Sequence, residues 1–184
     1  MVFISGDIKD KKYNSLIKYL YTKCKKITFF ITDFSIKLDK VNITKYHFGK
    51  PIASLDEYDL NPSFLKYVNL IEKKVPITMK NVIKKYFDFK YPHTVSDRLI
   101  LVYEIEFTEG VLYELININR DLYSFSYPDL PEDICFYFED RILVSTICHE
   151  EECAIEMDED KTVSDLIKTN EFAESDFIYR RDIS

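Results

Sequence analysis

The stretch from Leu99 to Phe107 constrains this chain more than any other. Leu99, Leu101, Tyr103, Ile105 and Phe107 alternate with Ile100, Val102, Glu104 and Glu106, and a period of two places alternate residues on opposite faces of a β-strand. One face is apolar throughout, while the other turns from apolar to acidic. Downstream, Ile134 to Phe138, Ile142 to Cys148 and Cys153 to Met157 have the same strand character. They are separated by Glu139-Asp140-Arg141 and Glu150-Glu151-Glu152, segments short enough for hairpin turns, so an antiparallel meander is expected.

Before Pro92 the apolar residues recur every three or four positions. Tyr13, Leu16, Ile17, Leu20, Tyr21 and Cys24 share one face of a helix from about Asp10 to Lys25, with lysines on the other face. Asn61-Pro62 reads as an N-cap with proline at the first helical position, opening a helix to about Lys74. Met79, Val82, Ile83, Tyr86 and Phe87 predict a further lysine-backed helix, and the β-branched and aromatic run Ile27 to Ile31 predicts a strand or a helix-to-strand corner. Val111 to Ile116 suggests a short helix, Asp160 to Thr169 a capped one, and Phe177 to Tyr179 a last edge strand. The expectation is one α+β domain over residues 1–184, its helical N-terminal half packed on an antiparallel β-meander sheet in the C-terminal half.

Charge follows the same division. The formal net charge is −7, yet residues 1–97 carry +8 and residues 98–184 carry −15, a basic helical part followed by an acidic strand-rich part. That balance argues against a nucleic-acid binder or a basic membrane-surface protein. Only Gly6, Gly49 and Gly110 occur, too far apart for a phosphate loop or a GxGxxG dinucleotide turn. No apolar run reaches the ~18 residues of a membrane span, so a cytoplasmic location is expected, with the four cysteines as free thiols.

Several constellations offer chemistry. Cys148-His149-Glu150-Glu151-Glu152-Cys153 gathers thiols, an imidazole and carboxylates, but Cys24 and Cys135 supply no second ligand pair at zinc spacing. A Cys148–His149 dyad is disfavoured because strand neighbours point to opposite faces, leaving His47 or His93 as partners. The metalloprotease pattern that His149-Glu150 begins fails, because position 153 is Cys. Glu104 and Glu106 share a strand face at a spacing glycosidases use, which is equally the spacing of a solvated strand side. Asp129 with Glu159 and Lys161 spells a loose metal-dependent nuclease pattern. Lys9, Lys11, Lys12, Lys18, Lys23, Lys25 and Lys26, with Tyr13 and Tyr21 among them, form a basic face that suits either phosphate contacts or plain solvation.

The most unusual feature is acidic. Glu150, Glu151, Glu152, Glu156, Asp158, Glu159 and Asp160 place seven carboxylates in eleven positions, where mutual repulsion invites a compensating basic partner. The segment Leu130-Pro131-Glu132-Asp133-Ile134-Cys135-Phe136-Tyr137, with Ser145-Thr146-Ile147-Cys148-His149-Glu150, resembles a loose group of small α+β proteins of low-GC Gram-positive bacteria. Some of these resemble immunity proteins of polymorphic toxin systems. The resemblance implies a sheet with packed helices and a cytoplasmic protein-binding role, and it supplies no catalytic residues. The expected function is therefore a non-catalytic immunity or inhibitor protein that sequesters a basic partner such as a nuclease toxin, with no cofactor or metal. A metal-dependent nuclease or hydrolase, and a structural or viral interaction protein, stand as alternatives.

Overall fold

A computed structural model describes residues 1–37, 46–92 and 94–180. Its strands form one eight-stranded sheet in the order β3-β4-β2-β5-β6-β7-β1-β8, and every pairing is antiparallel. The elements run β1 (Val2–Ile4), α1 (Asp10–Lys23), β2 (Lys26–Lys37), α2 (Pro62–Lys74), α3 (Pro76–Lys80), β3 (Val82–Tyr91), β4 (Thr94–Glu106), α4 (Glu109–Ile118), β5 (Glu132–Phe138), β6 (Arg141–Ile147), β7 (Glu152–Ile155), α5 (Glu159–Ile167) and β8 (Phe177–Tyr179).

Local signals place much of this. Asn61 caps α2 by accepting a hydrogen bond from the Ser63 amide at 2.8 Å, with Pro62 at the first helical position, and Thr108 caps α4. The apolar row Leu99, Leu101, Tyr103 and Ile105 of β4 faces the main core, and the row Ile100, Val102, Glu104 lies on the opposite face. β5, β6 and β7 form the expected meander, and β8 is an edge strand.

The architecture is α+β, but its layout departs from a helical half set against a sheet half. β1, β2 and β3 precede residue 98, while α4 and α5 follow it. The helix expected through Phe87 stops at Lys80, and Val82–Tyr91 is a strand. Short apolar runs fit both periods. Here the β-branched and aromatic residues pair with β4, which buries Phe87, while Lys84, Lys85 and Lys90 keep the exposed sheet edge soluble. β1, too short to show a period, is inserted between β7 and β8 by pairing with residues about 150 or more positions away.

All the apolar helix residues that become buried, among them Leu16, Leu20, Phe64, Val68, Val111 and Leu166, join the core on one face of the sheet. On the other face a smaller cluster contains strand residues alone: Phe30, Tyr91, Ile100, Val102 and Cys135. The Tyr91 hydroxyl lies 2.7 Å from that of Thr28 and its ring centroid 4.6 Å from that of Phe30. The end of the β3–β4 hairpin thus folds over this face and covers it locally.

Candidate functional site

The seven carboxylates bracket β7 rather than forming one cluster. Glu150 ends a single 3-10 turn, Glu151 closes it in the left-handed region at φ 54°, and Glu152 opens the strand. β7 is four residues long, so Glu156 and the acidic group after it lie about 13 Å farther along. Asp158 stands at the N-cap position of α5 without a side-chain capping bond, and Glu159 and Asp160 lie in the first turn, where negative charge complements the helix dipole. At least four of the seven have partners within the chain, Glu150 through His149 at 3.7 Å. Glu152 Oε1 is 3.3 Å from Arg180 Nη2, Glu156 accepts from the Ser145 hydroxyl at 2.6 Å, and Glu159 meets the N-terminal ammonium at 2.8 Å.

These residues border a row of the sheet in which Phe3 and Ile178 are open to solvent in part while Ser145 and Ala154 are buried. Ser145, Ala154, Phe3 and Ile178 lie in one row across β6, β7, β1 and β8, and Ile147 sits beside Glu152 in the adjoining row. Apart from Ser145 the row is apolar, and carboxylates lie on its two sides, Glu152 on one and Glu156 on the other. At its centre the Arg180 guanidinium stands 4.3 Å from the centroid of the Phe3 ring while it contacts Glu152.

The other constellations are dispersed. Among the described residues no three His, Cys, Asp or Glu side chains gather where they would hold a metal ion. Cys148 and Cys153 are buried; burial pushes the Cys148 thiol up to about 12 and raises Cys153 as well, which disfavours the thiolate needed for ligation or attack. His149 is exposed, 3.7 Å from Glu150. His47 belongs to a segment bonded to β3 through Gly49, about 19 Å across four strand spacings from β6; His93 lies outside the described residues. Asp129 pairs with Lys74, whereas Glu159 pairs with the chain's N-terminus. Glu104 is 3.2 Å from Lys84 on the neighbouring strand. On the basic face of α1, Lys12 and Lys23 pair with Asp176 and Asp165.

Sequence reasoning missed a second feature. Ile27, Phe29 and Ile31 of β2 face the main core, and Asp33, in register with Leu99, continues that row. Its side chain is therefore 1% exposed, an acid where the alternation calls for a hydrophobe. Oδ1 accepts from the amide and hydroxyl of Ser35, whereas Oδ2 is buried without a hydrogen-bond partner. Asp33 lines a cleft of about 370 Å³ with Thr32, Phe34, Asn61, Tyr67 and Tyr127. The Tyr67 hydroxyl is likewise buried and unpartnered. A register shift after Asp33 leaves Phe34 52% exposed at the rim, where its ring centroid is 4.8 Å from that of Tyr127. Tyr127 is 5.0 Å from Tyr67 in turn. The aspartate at the end of the apolar run Ile27 to Ile31 was the one available signal.

No helix among the described residues is long and apolar enough to cross a membrane. Comparison of the chain with models of protein families, with curated proteins and with solved structures finds no significant match.

Proposed function

We propose that the chain is a non-catalytic binding protein that captures a basic protein partner, acting as an immunity or inhibitor protein toward a toxin such as a nuclease. The contact surface is the strip over β6, β7, β1 and β8, open at Phe3 and Ile178 and flanked by Glu150, Glu151, Glu152, Glu156, Asp158, Glu159 and Asp160. One observation carries this reading: the chain's own Arg180 already rests on Phe3 and pairs with Glu152, so the strip accommodates a guanidinium through its ring face and its carboxylate together. An arginine of a partner that displaced Arg180 would meet the same groups. Apolar centre and acidic rim match the usual division between affinity and steering in protein interfaces, and capture by occlusion requires no catalytic group.

The test is recovery of a basic protein on the tagged chain from extracts of its own cells. Retention at low salt and release at high salt are expected, together with loss of capture in the triple variant Glu150→Lys, Glu151→Lys, Glu152→Lys. Capture unchanged by the triple reversal places the contact surface elsewhere.

A further inference from the structure

The cleft beside Asp33 shares no lining residue with the strip over β6, β7, β1 and β8 and does not depend on the role assigned to it. Two features mark it as a site. An unpartnered carboxylate oxygen in a protein interior costs several kcal/mol, and Asp33 sits where Val, Ile or Leu would extend the core at no such cost. Of the five buried side-chain atoms without a hydrogen-bond partner among the described residues, two, Asp33 Oδ2 and the Tyr67 hydroxyl, belong to residues that line this one cleft. Native proteins keep such groups rarely, and then where a bound species satisfies them.

The lining defines the species. It contains a carboxylate, four aromatic rings and small polar side chains, but among the described residues no Lys, Arg or His. Behind Thr32 stands a second carboxyl, Glu132, whose Oε1 accepts from the Thr32 amide at 3.0 Å. Arg98, bonded at the cleft's rim, is already engaged: its Nη1 donates to the Phe34 carbonyl and its Nε faces Asp97. An anion would meet only repulsion here. A neutral polyol would gain hydrogen bonds and stacking but nothing from the charge. A cation is attracted by Asp33, by Glu132 at longer range, and by the faces of the rings, which is the combination that recognises ammonium groups in aromatic-lined sites.

We infer that the Asp33 cleft binds an alkylammonium group, with the Asp33 carboxylate as counter-ion and with Phe34, Tyr127 and Tyr67 as its aromatic walls. Two sources present this group: a free polyamine and the side chain of a lysine in a protein.

Titration of the full chain with spermidine and with Nα-acetyl-lysine amide, followed by calorimetry and by amide chemical shifts, tests this. At least one of the two is expected to bind and to shift the amides of Asp33, Phe34 and Tyr67, whereas 1-pentanol, of similar apolar length, does not. Spermidine alone points to the free amine, and the lysine amide to a protein side chain. Asp33→Asn keeps an oxygen for Ser35 and removes the charge; it is expected to weaken binding roughly tenfold or more while melting at or above the wild-type temperature, because an unpaired buried charge is gone. Phe34→Ala alters only the exposed rim and is expected to weaken binding without unfolding the chain. Absence of binding by both amines, equal binding of 1-pentanol, or affinity unchanged in both variants overturns the proposal. So does a lower melting temperature for Asp33→Asn, which would make the carboxylate a structural group.

Discussion

Glu132 and Asp133, side by side at the start of β5, show how a single residue type does different work in this chain. Burial, as the largest cause, raises both above ordinary carboxyl values, and the hydrogen bonds they accept, from the Thr32 amide and from the Cys148 amide at 2.7 Å, offset this only in part. A carboxyl whose folded value exceeds its unfolded one favours folding when protonated. Its contribution is complete below the unfolded value and is lost as pH rises through the folded one. Glu132→Gln preserves an acceptor for Thr32 and cannot ionise. Urea denaturation is expected to show this variant more stable than wild type at pH 7 and equal to it below about pH 4; a variant less stable at pH 7 would show that the ionised form is the one the fold needs. Asp165 is held the other way, lowered chiefly by its bond to Lys168 at the surface. Composition counts these carboxyls alike, and only their surroundings separate them.

Elements differ in how openly the sequence announces them. α1, α2, α4, the long strand β4 and the meander β5–β6–β7 are legible because their hydrophobic period, caps and turns are local. β3 was misread because Met79, Val82, Ile83, Tyr86 and Phe87 fit a helical face as well as a strand, and pairing with β4 decided between them. The same hairpin then does something no period shows, bending so that Tyr91 reaches Thr28 on the far side of β2. That bend seals Phe30, Ile100 and Val102, residues that would otherwise be open to water. Tyr91→Phe removes the hydroxyl while keeping the ring, and leaves the buried Thr28 hydroxyl without this partner. A loss of about 1 kcal/mol in urea denaturation is expected; a variant as stable as wild type would mean that ring packing alone holds the hairpin down. The acidic candidate residues were legible as a run of sequence, but β7 divides them, and the Asp33 cleft was not legible because its walls come from β2, α2 and the segment before β5.

At the scale of the whole molecule, the two oppositely charged halves are interleaved. The compositional change near residue 97 falls inside β4, and β2, from the basic half, pairs with β4 on one side and β5 on the other. Ion pairs cross the divide throughout: Lys9 with Asp121, Lys12 with Asp176, Lys23 with Asp165, Lys26 with Asp140, Lys74 with Asp129, Lys84 with Glu104, and the N-terminus with Glu159. Each is partly exposed and contributes little by itself, but together they bring charges of opposite sign into register. Removing residues 1–97 strips β5 of β2 and β7 of β1, so a fragment of residues 98–184 is expected to show no cooperative thermal transition by circular dichroism. A cooperative transition in that fragment would show that the acidic part has a core of its own. The sequence by itself determined the α+β class, the apolar row of β4, the caps of α2 and the imbalance of charge, because each depends on neighbours within a few positions. The tertiary structure alone decided that β1 and β3 are strands, that most of α1's charge partners lie in the other half, and that one oxygen of Asp33 is buried without a hydrogen-bond partner, because each depends on which distant segments the closing sheet brings together.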